Sequence, residues 1–114
     1  MSKSKKETKT ELNIDENLEA LLCYVLGWIT GIVFLVLEKK SKFVKFHAIQ
    51  SIIVFGFLTL IFIIFSSIPF IGWFIFAPLI SVFSIIIWII SMIKAYNYEW
   101  FKWPIAGDIA EKNI

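Results

Sequence analysis

Polar and apolar residues fall into coarse blocks along the chain. A polar stretch at 1–17, rich in lysine and glutamate, gives way to the apolar run "LEALLCYVLGWITGIVFLVL" at 18–37. A charged connector, "EKKSKFVKF" at 38–46, leads into a second apolar run, "AIQSIIVFGFLTLIFIIF" at 48–65. After the turn-like "SSIPFIGWFIFAP" at 66–78 the chain stays apolar to residue 93. Twenty helical residues reach about 30 Å, the thickness of a bilayer's hydrocarbon core, so each run has the length of one crossing. Two readings of 66–78 are open. Ser67 caps a helix that carries Pro69 in its first turn and is kinked at Pro78, or Pro78 starts the helix and 68–77 lies along the interface with Trp73 at headgroup depth.

The pattern predicts an all-α integral membrane bundle of three transmembrane helices, over about 18–37, 48–65 and 70–93. Residues 66–78 enter as an interfacial or re-entrant segment, and 94–114 form an aromatic interfacial tail bearing Tyr96, Tyr98, Trp100 and Trp103. Residues 1–17 read as a flexible polar tail, because low hydrophobicity leaves little to offset the entropy of ordering. Everything from 18 to 114 is one membrane domain.

Composition agrees. Hydrophobic residues make up 59% of the 114 and charged ones 18%, against about 45–50% and 25% in soluble domains. No charged side chain occurs between Leu60 and Ile93. All eleven basic residues are lysines, and the later ones adjoin apolar runs, where they meet anionic headgroups in preference to nucleic acid. With three spans, the 38–46 loop and the C-terminus share a face carrying seven lysines against four on the N-terminal tail. That excess predicts a cytoplasmic loop and C-terminus in the cell membrane and an external N-terminus.

Several residues are candidates for packing. Gly27 and Gly31 form a small-xxx-small motif in the first run, and Ser81, Ser84 and Ser91 recur along the third. Small faces let helix backbones approach closely in lipid. They join the protein's own helices, or they leave one face for a second copy of the chain or another membrane protein.

His47, Gln50 and Ser51 share one helix face at the entry of the second run. The simplest reading is an interfacial polar cluster that fixes helix depth; the sharper one has His47 facing the bundle interior and binding or sensing something. One histidine without ligand-spaced partners gives no metal site. Cys23 is the only cysteine, so neither a disulfide nor a redox pair forms within the chain. No catalytic constellation or cofactor motif emerges, which predicts a non-enzymatic role in assembly or interaction within the membrane. The rival is a subunit of an oligomeric channel or translocation path lined by Ser81, Ser84 and Ser91.

At "FVKFHAIQS", 43–51, and again at "KAYNYEWFKWPIAGDIAEK", 94–112, the chain resembles a family of small prokaryotic multi-pass membrane proteins of unknown function. That family is distantly grouped with a chloroplast inner-envelope import component, the Tic-twenty-like proteins. The resemblance covers roughly 18–112. Its matching positions are Phe46, His47, Ala48, Gln50, Ser51, Lys94, Ala95, Pro104, Gly107 and Asp108. It implies a multi-pass helical protein without established activity, and by analogy of fold a translocation role. Tyr98 stands where the family usually has glycine. Since both motifs lie at one face, the tail is expected to fold back and bring Asp108 or the Trp100–Trp103 aromatics to the His47 region.

Overall fold

The computed structural model describes residues 14–114, and its long elements are all helices. Most of the expected polar tail, up to residue 13, lies outside the described residues; from Glu16 the chain is already helical. We number the helices α1 (Glu16–Val25), α2 (Trp28–Leu37), α3 (Lys42–Ser66), α4 (Gly72–Tyr96) and α5 (Ala106–Lys112).

The first apolar run does not form one span. It breaks at Leu26–Gly27 into two ten-residue helices, each about 15 Å long. Gly27 has φ +65° and ψ −134°, a conformation open to glycine and strained for any other residue. The halves fold back on each other. At the open end the Glu16 carboxylate accepts a hydrogen bond from Ser41 Oγ, just ahead of α3. At the tip Gly27 abuts Phe55, halfway along α3. The run is a helical hairpin whose two ends lie together, so Glu16 shares an end with the 38–41 loop. The single crossing expected between residue 18 and that loop, which would set them at opposite ends, does not fit this geometry.

The break exposes backbone groups, and side chains take them up. Thr30 Oγ1 lies 3.0 Å from Cys23 O and accepts from Leu26 N at 3.2 Å. Ser51 Oγ of α3 lies 2.8 Å from Cys23 O and 2.9 Å from Gly27 O. Trp88 Nε1 of α4 donates to Tyr24 O at 2.7 Å. Broken helices persist in apolar surroundings only where such partners exist. Gly31 then allows α2 to lie close on α3, since a Cβ there would sit 2.9 Å from Ala48 O.

α3 and α4 form the long antiparallel pair. Ser41 caps α3, its Oγ accepting from Val44 N at 3.1 Å, while the Glu38 carboxylate accepts from Lys40 N and Ser41 N. At 25 residues, α3 is about 37 Å long. Ser67 closes it by donating to Ile64 O at 2.6 Å, instead of capping the following helix. The return turn needs Gly72, where a Cβ would fall 2.3 Å from Phe65 O. A helix that starts at Pro78 does not form; the helix runs on through Pro78 from Gly72, close to the start near residue 70 of the first reading. α4 opens with a π turn over Gly72–Phe76, in which Ala77 N bonds Gly72 O, and this widened turn makes room for the proline ring.

These elements give two unlike halves. At the polar end, α1, α2, α3 and α4 surround a core of Ala20, Cys23, Tyr24, Phe43, Val44, Ala48, Phe55, Ile87, Ala95 and Tyr98. In the distal half only α3 and α4 continue. Only 28% of the most apolar stretch of α3 and 17% of that of α4 is buried, so neither is the core helix of a water-soluble fold. Both are long and apolar enough to cross a membrane. In place of the three-span bundle stand two such helices and a hairpin of half their length.

Candidate functional site

α4 ends in a Schellman turn. Glu99 N bonds Lys94 O at 3.0 Å and Tyr98 N bonds Ala95 O at 3.2 Å, with Tyr98 at φ +62° in the left-handed position that usually takes glycine. The tight turn therefore forms without glycine. Tyr98 is held by its own contacts: its ring stacks on Phe43 at 5.9 Å and its hydroxyl donates to Asn17 Oδ1 at 3.1 Å. Burial pushes the Tyr98 phenol up from its ordinary range, and the neighbouring Asp15 and Glu16 charges add in the same direction. A Lys94–Glu99 ion pair of 3.3 Å spans the turn.

Beyond this turn the chain runs as a strap, residues 99–103, across the start of α3. Here the His47 face finds its partners. His47 Nε2 lies 2.9 Å from Glu99 O, which can only accept, so Nε2 carries the proton. With the ring neutral, Nδ1 accepts from the Tyr24 hydroxyl at 2.7 Å. That hydroxyl accepts from Gln50 Nε2 at 3.0 Å, and the same amide donates to Phe101 O at 2.9 Å. Gln50 Oε1 accepts from Trp103 N at 2.8 Å. Trp103 Nε1 in turn donates to Ser91 Oγ at 2.8 Å. Tyr24, His47, Gln50, Ser51 and Ser91 are each no more than 1% exposed. Every polar atom in this network faces a partner, as a buried network requires.

The structure thus brings together His47, Gln50, Ser51 and Ser91, but separates their work. Ser51 serves the hairpin tip; His47 and Gln50 grip the strap. Trp100 packs on Phe43 and Phe46, both at 5.2 Å between ring centres. Asp108 stays out of the cluster, exposed on α5 and 3.9 Å from Lys102 Nζ. Lys102 also meets Glu111 at 2.6 Å, and that bond raises its ammonium above the ordinary lysine range. Gly31 packs as a small residue, whereas Gly27 makes the turn. Ser81 and Ser84 are half-buried on α4. Residues missed from sequence are Tyr24, Thr30 and Trp88; all three sit in apolar runs, where a hydroxyl or indole reads as packing. Among the described residues no cluster of three or more histidine, cysteine or carboxylate side chains assembles to hold a metal.

Comparison with known proteins places this geometry. Residues 15–110 match the model of the magnetosome magnetite crystal formation protein family. A UPF0132 membrane protein of Methanocaldococcus jannaschii is 55% identical over 104 residues, covering 91% of this chain and 93% of the relative. A second from that organism is 54% identical over 101 residues, covering 89% and 71%. One from Archaeoglobus fulgidus is 48% identical over 99 residues, covering 87% and 95%. No solved structure matches. These likenesses do not extend to the chloroplast import component.

Proposed function

The chain belongs to this family, whose archaeal members carry the name of membrane proteins, and we propose that it is a non-enzymatic assembly or interaction component of the membrane. In this reading α3 and α4 cross the bilayer and the α1–α2 hairpin dips to mid-depth from the polar end. One observation carries it. The buried polar groups of the site are spent on one another and on the strap backbone, while the long helices present apolar side chains outward, Phe57, Leu60, Phe74 and Phe83 among them. Such a molecule offers lipid-facing surfaces and a locked polar end.

The lysines at 39–45 and at 94, 102 and 112 adjoin the polar end, which favours the cytoplasmic side for it. The distal end lies within the stretch 46–93, which carries no charged residue. Mineral surfaces and iron are held by carboxylates and other hard oxygen donors, so a direct crystal contact from the distal end is disfavoured. An organising role within the membrane suits the family description better. The channel reading loses Ser91 to Trp103 and keeps only Ser81 and Ser84 as polar lining.

Single cysteines at positions 14, 40 and 112, introduced with Cys23→Ala, test the topology by labelling from one side of sealed vesicles. All three are expected to label from the same side. Position 14 labelling from the opposite side to 40 would refute the hairpin. Reconstituted liposomes should pass no ions above the lipid background; a flux abolished by Ser81→Leu would establish the channel instead.

A further inference from the structure

At the polar end, where α1, α3 and the strap converge, lies a cleft of about 190 Å³ lined by Glu16, Lys42, Phe43, Tyr98 and Trp100. Its volume is far above the ~10–15 Å³ that a single water needs. We propose that this cleft binds the headgroup of a zwitterionic phospholipid, with the ammonium against Glu16 and the aromatic rings and the phosphate against Lys42. The inference rests on the membrane placement proposed above.

The wall that takes the ammonium is built from three aromatic rings and a carboxylate. Phe43 stacks on Tyr98 and meets Trp100 edge-on at 5.2 Å. Glu16 uses one oxygen to accept from Ser41 Oγ, and a carboxylate has about four lone-pair sites to offer. Trp100 is the exposed ring of the three, and an open indole with a carboxylate beside it is the chemistry that recognises an organic ammonium.

Lys42 brings the other sign to the lining. Lys42 is the first residue of α3 and is exposed. Among the described residues no carboxylate lies within ion-pair distance of it. A lysine ammonium is a point-charge partner for phosphate. A cleft lined by a carboxylate, aromatic rings and a lysine matches a headgroup in which phosphate and ammonium are a few bonds apart. A simple anionic headgroup would meet Glu16 unfavourably. The place fits as well: lysines and interfacial tryptophan and tyrosine mark headgroup depth.

Native mass spectrometry of the full chain in detergent tests this, with equimolar phosphatidylethanolamine, phosphatidylcholine and phosphatidylglycerol added. Either zwitterionic lipid should be retained about five-fold over phosphatidylglycerol, the ratio to which one exposed cation–π contact of ~1 kcal/mol corresponds. Glu16→Gln keeps an acceptor for Ser41 and should erase the preference. Trp100→Leu, which touches no charge, should lower zwitterionic retention alone, and Lys42→Gln should lower retention of all three lipids. Equal or greater retention of phosphatidylglycerol by the native chain overturns the proposal, as does a preference that survives Glu16→Gln. A chain that needs detergent but shows no preference refutes this inference only. One that stays monodisperse without detergent refutes the membrane reading too.

Discussion

Replacing Gln50 by leucine removes the strap's main fastening while nearly conserving side-chain volume. Three hydrogen bonds go: to the Tyr24 hydroxyl at 3.0 Å, to Phe101 O at 2.9 Å and from Trp103 N at 2.8 Å. At about 1 kcal/mol net for each, the direct loss is ~3 kcal/mol. The carbonyl of Phe101 and the amide of Trp103 would then be buried without partners, at ~1–3 kcal/mol apiece. The strap lies at the polar end and avoids that second cost by lifting toward water, so the first figure sets the observable. A fall of ~3 kcal/mol in the free energy of local opening speeds amide exchange by about two orders of magnitude. Hydrogen exchange followed by mass spectrometry reads it directly. Peptides covering 99–112 should lose protection in Gln50→Leu, while the distal part of α3, residues 56–64, stays protected as in the native chain. If 99–112 exchanges at the native rate, the clasp does not hold the strap. If both regions lose protection together, the strap is not a separable unit.

Three glycines should rank by their surroundings in thermal unfolding in detergent. Gly27→Ala is expected to cost ~1–3 kcal/mol through its positive φ. Gly31→Leu should cost a similar ~1–3 kcal/mol by overpacking against Ala48. Gly56 has open space around its Cβ direction, so Gly56→Ala should be neutral or stabilising by up to ~1 kcal/mol; a Gly56→Ala loss as large as that of Gly27→Ala would refute the assignment. Tyr98 supplies a pH dependence. Because burial raises its folded pKa, its stabilising effect is whole below the ordinary tyrosine value of about 10 and fades as pH climbs through the raised one. Tyr98→Phe should therefore flatten part of the alkaline fall in the unfolding midpoint, and an unchanged profile would count against a hydroxyl buried in the folded state.

The two long helices were legible because 46–93 holds no charge and lipid-length helices follow from that alone. Their bounds shifted at the start of α3, which takes in Lys42 and Lys45 because Ser41 caps it and long lysine stems reach outward. The hairpin was not legible. Hydropathy registers how apolar a window is and is blind to a change of direction within it, and the only local signal in 18–37 was Gly27. What stabilises the break is remote in sequence: Ser51 and Trp88 come from other helices. The shared face of His47, Gln50 and Ser51 was legible from spacing. That the tail folds back onto this face was expected through Trp100–Trp103, but the atoms it offers His47 and Gln50 are backbone groups of Glu99, Phe101 and Trp103, which have no sequence signature. Tyr98 shows the same limit from the other side: a left-handed turn that composition disfavours is held by stacking on Phe43 and a bond to Asn17.

A hairpin that stops at mid-depth leaves its tip without water and without a helix to continue the hydrogen bonding, so each freed carbonyl needs a donor or costs several kcal/mol. One turn of α3 meets this demand and a second one. Ser51 faces the tip, and His47 and Gln50, four residues and one residue earlier, face the strap. Tyr24 links the two, because its carbonyl belongs to the break and its hydroxyl to the clasp. The hairpin, the long helix and the C-terminal strap are therefore fastened at a single level of the molecule, and the polar residues at the edge of the apolar run are accounted for by backbone groups they must satisfy. That leaves the cleft beside Glu16 and Lys42, formed by the same three elements, as the place where this rigid end can still meet something outside the chain.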